Sequence, residues 1–177
     1  MHPVHKFAKI ERERRFLLHD FPKKARVVRI YRITDRYVDG TTLRLRKQTE
    51  DNGPTAYKLT QKIPVRDTGS QQGLIATMYL TEKEHAVLAR LPAHELSKTR
   101  HSVPPFGIDV FDGALEGLIL AEAEFDSADA ADALVLPPFI SREVTNDDRL
   151  TGGHLARASR QEVEAALREY GINFASP

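Results

Sequence analysis

The feature that most constrains this fold is a charged face on segments that should otherwise be core strands. Near the N-terminus, Glu11, Glu13 and Arg15 alternate with other residues in the run Glu11–Arg15. Side chains two residues apart on a β-strand lie on the same face of the sheet. Charged side chains are rarely buried unless they are paired or bind something. The run therefore predicts a strand that faces a polar interior, and such an interior indicates a charged ligand.

The same period of two recurs along the chain, with like charges on the polar face. The repeated positions are Arg44 and Arg46, Lys58 and Lys62, Lys98 and Arg100, and Glu122 and Glu124. Residues 29–38, 73–80 and 108–111 are three further strand candidates, and turn sequences rich in Gly, Pro, Asp and Asn separate the segments. No internal repeat or convincing linker interrupts them. The sequence predicts one α+β domain spanning residues 1–177, built on antiparallel strands.

Helix signals are fewer than strand signals. Capping boxes at Thr81 and Ser159 predict helices that run to about Leu91 and to Tyr170. Ser127 is predicted to cap an Ala-rich turn that continues through Leu134. We expect these few helices to flank the strands.

Two arrangements explain an alternating strand. In a one-sided sheet the charged face simply lies in water, and for any single strand this is the simpler explanation. Like charges two positions apart repel, however, and their repetition suggests an external counter-charge. Closing about eight strands into an antiparallel barrel would bring basic strands opposite acidic ones across a polar lumen. We therefore predict a closed eight-stranded barrel, with the apolar faces pointing outward under the helices.

Composition and charge limit the functions to consider. Of the 177 residues 41% are hydrophobic and 29% charged, with no cysteine, no long apolar run and no signal-peptide pattern, which together predict a cytoplasmic protein without disulfides or thiolate metal sites. Residues 1–66 carry 17 Lys and Arg against 7 Asp and Glu, whereas the rest carries 9 against 18. Two opposite surface patches or one site of both signs would give this split. The paired glutamates argue against nucleic acid as a partner, and we expect no membrane association.

The two kinds of charged strand suggest complementary chemistry. Arginine forks and lysines along a lumen suit several phosphate groups in a row. Glutamates offer the hard oxygen ligands that Mg²⁺ or Mn²⁺ prefers. Phosphoryl transfer needs mainly a positioned phosphate chain, neutralised charge and an oriented water.

Ordered sequence blocks make the resemblance specific. The Glu11-x-Glu13-x-Arg15 run resembles the ExExK motif of the CYTH superfamily, also called triphosphate tunnel metalloenzymes. Later blocks follow in the same order over about residues 6–157. They are residues 35–39, Leu43–Arg46, Tyr57–Lys62, Lys98–Arg100, 108–113, 117–124 and 142–145.

The resemblance implies an eight-stranded tunnel that binds a triphosphate together with a divalent metal, Mg²⁺ or Mn²⁺. It implies metal ligands at Glu11, Glu13, Glu122 and Glu124. Catalytic roles fall on Glu13, Glu122, Glu124 and Glu143, where Glu143 would orient water, bind a second metal or brace an arginine. The implied triphosphate-binding residues are Arg15, Arg44, Arg46, Lys58, Lys62, Lys98 and Arg100.

One position departs from the motif, because Arg15 stands where the family usually has lysine. Arginine stays charged in proteins, so Arg15 can hold phosphate but is poorly suited to proton transfer. Tyr31 and Tyr37 would share the lumen face if they serve the site at all, although tyrosine in a strand usually packs. Because Arg15 is poorly suited to proton transfer, catalysis would depend on a metal-activated water.

Three functions follow in order of preference. The first is hydrolysis of inorganic tripolyphosphate or a small organic triphosphate. The second is an adenylyl cyclase that converts ATP to cyclic AMP and pyrophosphate, for which no base-recognition pocket can be identified. The third is a non-catalytic binder of polyphosphate or nucleotide, which Arg15 favours. A homodimer is left open.

Overall fold

The computed structural model describes residues 8–64 and 71–175. Eight strands of six to eleven residues and one two-residue strand form a single sheet. They are β1 (Lys9–Leu17), β2 (Arg29–Val38), β3 (Leu43–Glu50), β4 (Thr55–Pro64), β5 (Gln71–Leu80), β6 (Ala93–Val103), β7 (Phe106–Phe111), β8 (Ile119–Glu124) and β9 (Arg142–Glu143). All eight segments that alternate in the sequence are strands, as predicted.

The strands close into a barrel because β1 pairs on both of its edges. Around the barrel the order is β1, β5, β4, β3, β2, β6, β7 and β8, and every neighbouring pair is antiparallel. β1 pairs with β8 through residues 13–17 and with β5 through residues 9–12. The predicted closed eight-stranded antiparallel barrel is confirmed.

The short strand β9 fills the gap that β5 leaves on β1. It pairs with Phe16 and Leu17, beyond the residues that β5 contacts. The backbone N–H of Val144 then donates to the carbonyl of Arg15 at 2.8 Å. Residues 142–145 thus extend the barrel wall along one edge of β1.

Four short α-helices lie outside the barrel strands in the described part of the chain. They are α1 (Glu82–Leu88), α2 (Ala128–Asp132), α3 (Gly152–Leu155) and α4 (Arg160–Glu169). The capping boxes at Thr81 and Ser159 are both present. α1 ends three residues before the predicted Leu91, which precedes a proline and is therefore disfavoured in helical backbone. Among the described residues, no helix has the length and apolarity needed to cross a membrane.

The outward face of the barrel carries an apolar cluster around β1, β7 and β8. Its buried members include Phe16, Ile108 and Ala121, which alternate with the charged residues of the same strands. The loops at Phe21 and Phe139 pack against it. The prediction that apolar faces point outward is correct here, and α2 contacts β1 as a flanking helix, whereas loops cover the rest of this cluster.

A second apolar cluster fills one end of the lumen. Leu17, Leu96, Phe111 and Leu120 have the same parity as the charged lumen residues of their strands, one step further along. They pack with C-terminal residues such as Leu167 of α4. Helix α4 therefore helps to close the barrel end, and the polar lumen is bounded on that side.

Candidate active site

A cavity of about 850 Å³ occupies the barrel interior. Its lining includes ten of the twelve site residues predicted from the sequence. These are Glu11, Glu13, Arg15, Arg44, Arg46, Lys62, Lys98, Arg100, Glu122 and Glu124. Alternation along each strand directs these side chains inward, and closure of the sheet brings them together.

Asp35 on β2 holds the arginines of β3. Residues 35 and 46 are direct cross-strand partners, and Asp35 is fully buried. Its two carboxylate oxygens accept hydrogen bonds from Arg46 Nε at 2.6 Å and Arg46 Nη2 at 2.7 Å. Arg44 Nε lies 3.7 Å from the same carboxylate. Although burial opposes ionisation, Arg46 and then Arg44 lower the pKa of Asp35 to about 2, so this carboxylate is charged at neutral pH.

Asp109 on β7 holds the cations of β6 in the same way. It is fully buried and lies directly across from Arg100. Arg100 donates through Nε at 2.6 Å and Nη2 at 2.7 Å, and Lys98 Nζ donates at 2.5 Å. Arg100 Nη2 also contacts the Glu122 carboxylate. One guanidinium therefore links a buried aspartate to a glutamate of the cavity.

The N-terminal strand β1 carries Glu11, Glu13 and Arg15, which all line the cavity. Glu11 accepts a hydrogen bond from Lys62 Nζ at 2.7 Å. Arg15, only 3% exposed, donates from Nη2 to the Thr145 carbonyl at 2.6 Å, and its Nε lies 3.8 Å from Glu13. The segment after β9 thus fixes the guanidinium that replaces the motif lysine.

Two carboxylates of the cavity have opposite pKa shifts. Burial, reinforced by the charge of Glu122, raises the pKa of Glu13 to about 7, although Lys62 opposes the rise. Burial also disfavours the charged form of Glu122, but the cations Lys98 and Arg100 outweigh it and hold the pKa of Glu122 well below its usual range. A proton shared among these carboxylates at neutral pH therefore resides on Glu13.

The carboxylates fit a hard divalent cation in kind, but they are not gathered into a finished coordination site. Glu13 and Glu124 are cross-strand partners, and Glu122 is the next inward residue of β8. Within residues 8–64 and 71–175, no three His, Cys, Asp or Glu side chains are grouped closely enough to hold a metal ion. Glu11 and Glu122 instead pair with Lys62 and Arg100. A metal ion would compete with these cations, and the repulsion between Glu13 and Glu122 favours its entry.

Two predicted site residues lie outside the cavity lining. Lys58 is the cross-strand partner of Arg46, hydrogen-bonds to Gln48 at 3.4 Å and lies over the Tyr79 ring. Burial and the charge of Arg46 lower the pKa of Lys58. Lys58 therefore lies beside the cluster of cations rather than at the cavity surface.

Glu143 faces away from the cavity and holds another side chain of β1. Arg14 donates to it through Nε at 2.9 Å and Nη2 at 2.6 Å, and the Thr145 hydroxyl donates at 2.7 Å. Of the roles considered for Glu143, this geometry corresponds to bracing an arginine.

The C-terminal segment contributes lining residues that the sequence did not indicate. Gly152, Gly153, His154 and Arg157 line the cavity together with Tyr37. A Cβ on Gly152 would lie 2.1 Å from the Tyr37 hydroxyl oxygen, so the glycine makes room for this ring. Tyr31 is not among the lining residues. These contacts lack a sequence signal because they join β2 to a segment more than a hundred residues away.

Comparison with known proteins agrees with this architecture. No protein-family model matches the chain. The sequence is 37% identical over 159 residues to an inorganic triphosphatase of Nitrosomonas europaea, covering 82% of this chain and 96% of that protein. A crystal structure of the inorganic triphosphatase NE1496 matches with a TM-score of 0.55 and 28% identity, covering 85% and 96% of the two chains.

A second crystal structure, described as the hypothetical protein NE1496, also has a TM-score of 0.55 and 28% identity, covering 84% and 99%. The similarity thus extends over nearly the full length of each relative and over more than four fifths of this chain. Together with the closed barrel and its charged lumen, it shows that the chain belongs to the CYTH superfamily of triphosphate tunnel metalloenzymes.

Proposed function

We propose that this chain hydrolyses a phosphoanhydride bond of inorganic tripolyphosphate or of a small organic triphosphate. The observation that carries the proposal is the cavity itself, where arginines and lysines face glutamates inside a closed barrel. A cavity of about 850 Å³ falls in the usual size range of small-molecule sites. The inorganic triphosphatase with which the chain shares 37% identity supports this reaction class.

The cations would bind and align the phosphate chain. Arg44, Arg46 and Arg100 present guanidinium groups, which can bind phosphate oxygens bidentately. Lys62 and Lys98 add compact charges on neighbouring parts of the wall. Alignment and neutralisation of charge account for most of what a protein supplies in phosphoryl transfer.

The glutamates Glu11, Glu13, Glu122 and Glu124 would hold the divalent cation, which we propose is Mg²⁺ or Mn²⁺. When bound, such an ion neutralises phosphate charge and makes a coordinated water more acidic. Ionised Glu122 suits this role at neutral pH, whereas Glu13 must lose its proton before it can act as a ligand.

The remaining polar groups of the cavity supply fixed charge and hydrogen bonds. Arg15 is held by the Thr145 carbonyl and stays protonated, so it would bind phosphate without exchanging protons. Burial and the charge of Asp35 raise the pKa of Tyr37 well above its usual range. The Tyr37 hydroxyl therefore stays protonated, can donate a hydrogen bond to a ligand and is unsuited to be a base.

The relative's activity makes an adenylyl cyclase unnecessary to explain the cavity. A non-catalytic binder remains a useful contrast, because Arg15 secures phosphate binding without supplying an acid or base. The two functions differ in turnover rather than in affinity.

The decisive experiment incubates the purified protein with Mg²⁺ or Mn²⁺ and, separately, tripolyphosphate, ATP or thiamine triphosphate. Phosphate, pyrophosphate and cyclic AMP are then quantified. Metal-dependent release of phosphate from tripolyphosphate supports the proposal, whereas cyclic AMP with pyrophosphate identifies a cyclase. Tight binding with no turnover of any substrate would replace hydrolysis with the binder.

A further inference from the structure

Two buried aspartates lie behind the cations of the cavity wall. Asp35 contacts Arg46 and Arg44, and Asp109 contacts Arg100 and Lys98, with each aspartate on a strand next to its cations. Both side chains are fully buried, and neither is among the residues that line the cavity. A ligand in the cavity would therefore meet the cations and not the aspartates.

The contacts are of a kind that fixes orientation. Arg46 and Arg100 each use Nε and Nη2 in a two-point contact with one carboxylate, at 2.6 and 2.7 Å. Such a fork holds the plane of the guanidinium as well as its position, and it does not use the Nη1 group, which can therefore reach a ligand. Buried salt bridges are by themselves poor evidence of stabilisation, because desolvation offsets the attraction. A role in orientation explains their presence better.

The backbone beside Arg100 is shaped for this side chain. A Cβ added to Gly107 would lie 3.2 Å from Arg100 Cδ and 3.3 Å from its Nε. Gly107 is the cross-strand partner of Glu122, so the arginine passes over the glycine between Asp109 and Glu122. The path of the guanidinium is thus defined on three sides.

We propose that Asp35 and Asp109 are positioning residues, which orient Arg46 and Arg100 towards a bound triphosphate and limit the positive charge of the cavity. This inference rests on the proposed function and deepens it. Each aspartate offsets one of the two positive charges that it contacts. Without this offset the cavity would attract a polyanion more strongly, but its donors would no longer be aligned. Stronger binding shared by substrate and transition state does not raise kcat.

The kinetic test uses Asp109→Asn and Asp35→Asn, with Glu95→Gln as the matched control. Glu95 accepts a hydrogen bond from Arg36 at 2.9 Å, which is likewise a pair between neighbouring strands, here β6 and β2, and Glu95 is not a lining residue. We expect kcat for tripolyphosphate to fall about 10- to 100-fold in each aspartate variant. The dissociation constant of tripolyphosphate, measured by calorimetry in EDTA, should be unchanged or lower. An unchanged kcat would overturn the proposal. A loss of kcat/KM that arises entirely from a higher dissociation constant would overturn it as well.

A second measurement separates the inference from the proposed reaction. In ¹⁵N-labelled protein the Nε–H signals of Arg46 and Arg100, assigned through Arg46→Lys and Arg100→Lys, should exchange slowly with solvent. Asp35→Asn should accelerate exchange at Arg46 alone, and Asp109→Asn at Arg100 alone. Equal exchange in variant and wild type would refute positioning even if the enzyme is active. Selective acceleration without wild-type turnover would refute the reaction and leave positioning intact.

If an aspartate variant does not fold, Arg100→Lys tests the same proposal. This variant keeps the positive charge but loses the two-point contact with Asp109. Circular dichroism with and without tripolyphosphate reports the fold. Arg100→Lys should retain affinity within about threefold while kcat falls by about tenfold or more. Wild-type kcat in this variant would show that the oriented fork has no role.

Discussion

Glu122 is the residue whose loss should affect turnover most directly. It is a carboxylate of the cavity that stays ionised at neutral pH, and it contacts Arg100. Glu122→Gln should lower Mg²⁺- or Mn²⁺-dependent turnover of tripolyphosphate by about a hundredfold or more, because an amide is a weak ligand for a hard cation. Phosphate release and a circular dichroism spectrum measure activity and fold in the same sample. A folded variant with full activity would remove Glu122 from the proposed metal site.

The raised pKa of Glu13 predicts a pH dependence of stability. Its pKa is about 7 in the folded protein, against 4.5 as its ordinary value, so between these values the folded state binds more protons than the unfolded state. The free energy of unfolding should therefore fall as pH rises through this window, by up to about 3 kcal/mol from this residue. Urea unfolding in EDTA at pH 5 and pH 8 measures the change.

Glu13→Gln tests whether Glu13 causes this pH dependence. Because the amide does not titrate, the free energy of unfolding should fall less between pH 5 and pH 8 in the variant than in wild type. The same decline in wild type and variant would show that another group is responsible. Since a metal ion binds the ionised form, Mn²⁺ binding at pH 6.5 should release protons in wild type and fewer in the variant. Calorimetry in buffers of different ionisation enthalpy measures that number.

At the scale of elements, β9 provides a test of the role of Glu143. The pair with Arg14 lies outside the cavity, with Glu143 38% and Arg14 18% exposed at the side chain. Glu143→Gln should cost about 1 kcal/mol of unfolding free energy or less, and kcat should stay within about twofold of wild type. Urea unfolding and the phosphate assay give the two values. A collapse of kcat at unchanged stability would instead support the catalytic role predicted from the sequence.

The segment that follows α3 places Arg157 at the cavity. Its Nη1 donates to the Gly153 carbonyl at 2.7 Å, and its Nη2 lies 3.6 Å from Asp39 Oδ1. The Arg157 side chain is 40% exposed. Arg157→Ala should raise KM for tripolyphosphate roughly 3- to 10-fold with little change in kcat, since an exposed cation adds binding energy of this order. Arg168→Ala on α4, where the arginine pairs with Glu164, is the control. An unchanged KM would exclude Arg157 from the substrate site.

At the scale of the whole molecule, α4 and the barrel are parts of one hydrophobic core. Leu167 is fully buried in the cluster that fills the lumen end, together with Leu17, Leu96 and Leu120. Leu167→Ala should lower the free energy of unfolding by about 2 to 4 kcal/mol through lost burial and a cavity. Urea unfolding measures the loss, and Val87→Ala, at a position 65% exposed, should have almost no effect. Equal values for both variants would mean that α4 does not stabilise the barrel.

The balance of charge also becomes clear only for the whole molecule. Repeated like charges along single strands suggested a counter-charge from outside the protein. Much of it is internal, because Asp35 and Asp109 accept from the cations of β3 and β6, and Glu11 accepts from Lys62. Each of these pairs joins two residues from the same part of the sequence, either residues 1–66 or the rest, so both parts neutralise some of their own charge inside the barrel.

The sequence by itself determined which residues alternate, and hence which side chains can share a face. That was enough to predict the eight strands, the inward direction of Glu13, Arg46 and Arg100, and the capping boxes, because each depends on neighbours within a few positions. The repetition of like charges along several strands predicted closure into a barrel, and the resemblance in the order of the blocks implied the same eight-stranded tunnel.

Only the tertiary structure decided what each charged group contacts. Cross-strand register placed Asp35 opposite Arg46 and Asp109 opposite Arg100. The position of β9 beside β1 brought Glu143 into contact with Arg14, outside the cavity. Packing against the C-terminal residues placed Leu17 in the apolar cluster that fills one end of the lumen. These outcomes depend on strand register and on packing between distant segments, which the period of a single strand does not contain.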